Sequence, residues 1–236
     1  GLYYKSWAVI VAVDDYLLAP KLSGSVADGK AVAAALKQLG FEEIMELYDR
    51  DAGFRRLQHL LTYELLQKVG RHDRVVFFFA GHTGVTTDRN DHDLGYLVPW
   101  DAQPGALKKA LSLDDLKEFA NRVMAKHVVF LLDVGVRGWE TTPPEQLSLE
   151  GRLSPEQETD KRAVQILTAA DKGELLAPGK GTSLFVETLS SGLQGAADEN
   201  KDGGVMGTEL AAYVTRQVET RTQGRQHPQF AQIDGN

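Results

Sequence analysis

Short apolar runs alternate with stretches of helical period along the whole chain. Trp7–Val13, Ile44–Tyr48, Val75–Ala80, Val128–Leu132 and Ala163–Ala169 are nearly continuously hydrophobic, as strands buried on both faces of a parallel sheet must be. Between them, Val26, Ala33, Leu36 and Leu39 mark one helix that Gly40 ends, and Leu57, Leu60, Leu61, Leu65 and Val69 line a second that Gly70 ends. Leu113–Lys126 forms a third helix through Leu116, Phe119, Ala120 and Val123, and Leu184–Leu193 and Leu210–Val218 add two more. Residues 84–96 are polar and turn-rich, with Gly95–Val98 returning from them as a short hairpin arm, and His227–Phe230 leads into an edge strand. This alternation predicts an α/β fold with a mostly parallel six-stranded sheet and helices on both faces.

Two of the strand runs carry chemistry at their ends. Residues 75–84 read Val-Val-Phe-Phe-Phe-Ala-Gly-His-Thr-Gly and residues 128–138 read Val-Val-Phe-Leu-Leu-Asp-Val-Gly-Val-Arg-Gly. Each is read as a buried strand followed by a turn. Open α/β sheets place their chemistry in the crevice outside such carboxyl ends.

The pair resembles the two active-site segments of caspase-like cysteine peptidases, the group of metacaspases and bacterial orthocaspases. That family carries Ala/Ser-Gly-His-Gly after one strand and Asp-Ala/Ser-Cys-His-Ser-Gly after the other. Further segments match in order: Ala8–Tyr16, Leu22 and Val26–Asp28 at the start, Gly95–Pro99 with Asp101, Arg162–Ala169, then Gly181–Phe185 and Gly192-Leu193. The resemblance implies a single caspase-like domain over 1–236, with a large-subunit-like region at 1–138. An intersubunit linker at 139–161 and a small-subunit-like region at 162–236 follow. The linker stretch holds Thr-Thr-Pro-Pro, Ser-Pro and five glutamates, a composition suited to an exposed loop.

The departures from the family decide the function. His82 stands at the catalytic histidine, but Gly135 stands where the nucleophilic cysteine belongs, and the chain contains no cysteine. A thiolate mechanism is therefore excluded for this polypeptide. Thr83 replaces the glycine whose backbone helps hold the oxyanion. Val136 and Arg137 replace the His and Ser after the usual cysteine, leaving Asp133 and Gly138 from that motif. Asp133 resembles the acidic residue that helps bind a basic substrate side chain in Arg/Lys-specific members; it could equally cap a turn or hold Arg137 or Arg162. The reading is a pseudoenzyme whose cleft (Asp133, Thr83, Arg137) binds a protein or peptide partner, an active caspase-like homologue among the candidates. The alternatives are a hydrolase with another nucleophile, such as Thr83 or Ser183, and a cysteine endopeptidase disabled at its active site.

A second motif stands apart from the cleft. Residues 198–209, Asp-Glu-Asn-Lys-Asp-Gly-Gly-Val-Met-Gly-Thr-Glu, fit the twelve-residue EF-hand pattern. Asp198, Asn200 and Asp202 offer oxygens at positions one, three and five. Gly203 makes the turn at six, Gly204 offers its carbonyl at seven, and Glu209 closes at twelve. The expected ligand is calcium; an acidic turn with a capped helix is the structural alternative.

Charge and composition narrow the rest. A net charge of −7 argues against non-specific nucleic-acid or anionic-membrane binding. No apolar run approaches the ~20 residues of a membrane span, and no signal peptide is visible. We read the chain as cytoplasmic and, since it starts at Gly1 and ends in a polar tail, as a domain of a longer protein.

Overall fold

The structure, a computed structural model, describes residues 2–87, 90–136 and 161–233. Arg137, Gly138 and the proposed linker, apart from Lys161, lie outside the described residues. Six strands form the main sheet in the order β2 (Glu43–Tyr48), β1 (Ser6–Ala12), β3 (Arg74–Ala80), β7 (His127–Gly135), β8 (Ala163–Ala170) and β9 (Gln229–Ile233). All pairs are parallel except β8 with β9, so the last strand is the antiparallel edge anticipated near His227.

Alternation along the central strands splits the core into two halves. Val75, Phe77 and Phe79 face a layer holding Leu57, Leu60, Leu65, Leu113 and Phe119. Val76, Phe78 and Ala80 face the opposite layer with Leu36, Phe185, Leu189 and Val214. The first layer comprises α2 (Phe54–His59), a π-helical turn (Leu60–Glu64), α3 (Leu65–Lys68) and α4 (Leu113–Arg122). The second comprises α1 (Ser25–Gln38), α5 (Leu184–Ser191) and α6 (Gly207–Thr222). Helices thus cover both faces.

Three expectations need correction. The hairpin arm read at Gly95–Val98 is β5 (Asp93–Leu97), but the turn-rich stretch before it holds a strand of its own: β4 (Thr83–Thr87) pairs antiparallel with β5, which pairs with β6 (Leu111–Ser112) in a small second sheet. Thr83, Val85, Thr86 and Thr87 are β-formers, but with three threonines and a glycine beside the one valine the strand lacks an apolar run. The third helix ends at Arg122, because Val123 is already extended. The fourth strand does not end at Leu132. It continues through Asp133 to Gly135, with a bulge where Leu132 pairs Thr168 and Gly135 pairs Ala170. A bulge re-aims side chains at a strand end, and here it carries a buried Asp into what the hydropathy alone reads as a turn.

Candidate functional site

Ala80 and Asp133 are register partners in β3 and β7, so His82 and Gly135, each two residues further on, lie at the same carboxyl edge. The backbone of His82 is fixed by Tyr16. The His82 N–H donates to the Tyr16 hydroxyl at 2.8 Å, which donates to the Val98 carbonyl at 2.9 Å. The rings of Tyr16 and His82 lie 4.8 Å apart. Gly81 is required beside them, since a Cβ there would come within 2.4 Å of the Tyr16 oxygen. The imidazole Nε2 sits 2.7 Å from the Pro20 carbonyl. A carbonyl only accepts, so Nε2 carries the proton and Nδ1 is left as an acceptor. This is a histidine oriented by a third group, as a general base would be. Thr83, the next residue, opens β4 opposite Leu97.

No reacting group faces that base from the position of the nucleophile. Gly135 ends β7 without a side chain, and a Cβ built on it would meet the Asp171 carbonyl oxygen at 2.6 Å. That oxygen belongs to a turn held in place. It accepts from Glu174 N–H at 3.2 Å, and the Glu174 carboxylate accepts from Asp171 N–H at 3.0 Å and His227 N–H at 2.8 Å. A side chain at position 135 would meet backbone.

Asp133 is buried, and its partner is a second acid. Asp28, in the first turn of α1, lies close enough to Asp133 for the two carboxyls to perturb each other, and it accepts Ser183 N–H at 2.7 Å. The α1 N-terminus is itself anchored by Asp14, whose carboxylate accepts from Ser25 and Val26 N–H at 2.9 and 3.1 Å. Burial raises the Asp133 carboxyl well above the usual range, the Asp28 charge raises it further, and the Ser183 side chain opposes this through a hydrogen bond. Burial raises Asp28 as well. Each carboxyl disfavours ionisation of the other, so both are pushed above the usual carboxylate range. Asp133 Oδ1 has no hydrogen-bond partner among the described residues.

The structure decides between several sequence readings. Arg162 does not pair with Asp133; its guanidinium donates to the Ala120 carbonyl, on the other face and near the opposite end of the strands. Arg137 lies outside the described residues. Ser183 is no free nucleophile: it caps α5, its Oγ accepting from Val186 N–H at 3.1 Å. Sequence reasoning missed the roles of Tyr16, Asp28 and Asp171. Ser183 was legible as a cap, being a serine just before an apolar run.

The loop at 198–209 has the hydrogen-bonding of an ordered acidic turn. Asp198 Oδ1 and Oδ2 accept from Asp202 and Gly203 N–H, Asn200 Oδ1 from Asp202 N–H, and Asp202 Oδ1 from Gly204 N–H, at 2.9–3.2 Å. Lys201 and Gly203 take positive φ of 59° and 87°. Glu209 is buried at the start of α6, where it accepts Met206 N–H at 2.9 Å. Among the described residues no three His, Cys, Asp or Glu side chains converge as a metal-binding group. The donor types and their order still suit a hard cation: Asp198, Asn200, Asp202, the Gly204 carbonyl and Glu209 are all oxygen ligands.

Among the described residues no helix is long and apolar enough to cross a membrane. No curated protein matches the chain significantly. The fold is similar to that of a Geobacter sulfurreducens protein known from a crystal structure, with 15% identity, a TM-score of 0.66, and 97% of this chain and 93% of that chain covered. The family model of the caspase domain, Peptidase_C14, matches residues 5–234. With that match over nearly the whole chain and a six-stranded sheet covered by helices on both faces, the chain belongs to the caspase-domain family.

Proposed function

We propose that this caspase-family domain is catalytically inactive and serves as a scaffold or regulator that binds a protein or peptide at the carboxyl edge of its sheet. The carrying observation is Gly135, where a side chain would meet the Asp171 carbonyl. His82 keeps the orientation of a base with nothing to deprotonate.

The acidic pair suggests what is bound. Asp133 Oδ1 is an unsatisfied buried acceptor beside Asp28, and a guanidinium or ammonium group would satisfy it. Leu17, Leu18 and Leu175 are 56%, 55% and 89% exposed on the loops after β1 and β8, giving the same edge an apolar rim. The partner is therefore a segment with an Arg or Lys flanked by apolar residues, an active caspase-like homologue being one carrier. A cation entering beside Asp133 favours its ionised form, so affinity should rise with pH. Calorimetric titration with Arg, Lys and Ala versions of one peptide tests this. Binding of the Arg and Lys peptides, lost in Asp133→Asn, is expected; equal binding of all three rejects it.

We also assign calcium to the 198–209 loop, held by Asp198, Asn200, Asp202, Gly204 and Glu209. The ion would supply charge compensation and order between α5 and α6, with no chemical step assigned to it. The reading places the domain in the cytoplasm, which cell fractionation tests.

A further inference from the structure

At the amino ends of the strands, roughly 20 Å from the dead site by strand length, the sheet and the α1/α5/α6 layer part to leave an open-mouthed cavity of about 1030 Å³. Its apolar walls include Leu36, Leu39, Val129, Leu193, Val205 and Leu210. Its floor is crossed by neighbouring strand residues, Arg74 beside His127 and Gln165 beside Gln232.

Arg74 is a cavity cation with no carboxylate partner among the described residues. Its guanidinium lies between two rings, 4.4 Å from the centre of Phe41 and 4.7 Å from that of Tyr3. Its Nε donates to Ser6 Oγ at 2.9 Å, and no carboxylate pairs with it among the described residues. The other charged or ionisable groups of the cavity do not answer it. His127 is tied by both ring nitrogens, Nδ1 at 2.6 Å from the Tyr3 hydroxyl and Nε2 at 2.8 Å from the Lys161 carbonyl. Burial holds its pKa down, and the cations Lys126, Arg74 and Arg162 add to that, so it stays neutral. Arg162 turns to Ala120 on the far face. Lys161 also lines the cavity and adds positive charge. Asp198, the lining carboxylate, is engaged by the N–H groups of its own loop. The amides serve one another, Gln194 donating to Gln38 at 3.2 Å and Gln165 to Gln232 at 3.5 Å.

The two rings and Ser6 offset part of the cost of half-burying this guanidinium; no described carboxylate offsets the rest, and an anion would. The volume stands at the top of the ~300–1,000 Å³ range of small-molecule sites, which are mostly apolar with few placed polar groups. We propose that this cavity binds an amphipathic organic anion of the long-chain fatty carboxylate class, its head on Arg74 and its chain along the Leu36–Leu193–Leu210 wall. The site is independent of the proposed peptide cleft.

The test is a fluorescence titration of the whole chain with cis-parinaric acid, competed by palmitate and by hexadecanol. Saturable binding is expected, with palmitate displacing the probe at least about tenfold better than the alcohol, as a charge-assisted hydrogen bond implies. Arg74→Gln should weaken palmitate by a similar factor and leave hexadecanol unchanged. Gln194→Glu puts a like charge at the mouth, should weaken palmitate severalfold, and keeps the question open to decision if Arg74→Gln fails to fold. No saturable binding, equal competition by acid and alcohol, or palmitate affinity indifferent to both substitutions would overturn the proposal.

Discussion

Giving Gly135 a single methyl group should destabilise the domain. Gly135→Ala places a Cβ at 2.6 Å from the Asp171 carbonyl oxygen, where ordinary contact begins near 3.4 Å. Neither side yields easily. Gly135 is held in the ladder by Ala170, and the carbonyl sits in a turn locked by Glu174 and, through it, His227. The φ of Gly135 lies outside the left-handed region, so the cost is steric rather than torsional. Overpacking of this kind costs about 1–3 kcal/mol. The lower entropy of alanine in the unfolded chain returns about 0.4–1 kcal/mol. The net loss of about 1–2 kcal/mol converts to a fall in Tm of roughly 2–8 °C for a chain of this size. Thermal melts followed by circular dichroism read it directly. A Gly135→Ala variant melting at or above the wild-type temperature would refute the reasoning, because the Asp171 carbonyl would then be free to withdraw. The same contact forecasts that Gly135→Cys reacts poorly with a thiol-directed peptide probe and gains no substantial peptidase activity, even with His82 in place.

Three other outcomes follow from the geometry. Tyr16→Phe strips the His82 N–H and the Val98 carbonyl of their common partner; the expected loss is about 1–3 kcal/mol, seen as a lower Tm. Asp133→Asn removes a carboxyl whose ionisation folding disfavours, by burial first and by the Asp28 charge second. A raised folded pKa means stability drains away as pH climbs above the ordinary carboxylate range, so the amide should melt higher than wild type at about pH 8, with the gap closing toward about pH 4; a pH series of melts showing no gap contradicts this. Calcium should stabilise the fold by roughly 2.7 kcal/mol at a hundredfold excess over Kd, seen as a higher Tm than in chelator, and Glu209→Gln should abolish the shift; an equal shift in the variant rejects the site.

The sheet was legible because buried parallel strands are written as unbroken apolar runs: Val75–Ala80 and Ala163–Ala169 carry their own boundaries to within a residue. His82 and Gly135 were singled out through the resemblance alone, and the fold brings them to adjacent strand ends. What stayed hidden depends on contacts distant in sequence. β4, Thr-Gly-Val-Thr-Thr on a half-buried sheet, carries a single apolar side chain and so looks like loop. The bulge at Leu132–Gly135 is a matter of register with β8. Asp28 meets Asp133 across more than a hundred residues, and only the fold reveals that their charges compete. The crowding of Gly135 by Asp171 is likewise a tertiary fact; the sequence shows only that a side chain is missing, not that its space is taken.

The central claim is that this caspase-family domain does not cleave peptides. The most direct measurement is incubation of the purified chain with a peptide library covering Arg, Lys and Asp at the cleavage position, with and without calcium, read by mass spectrometry. No cleavage product above the buffer control is expected in either condition. Turnover that survives rigorous purification and disappears in His82→Ala would contradict the account, because His82 would then be serving a nucleophile other than the residue at position 135.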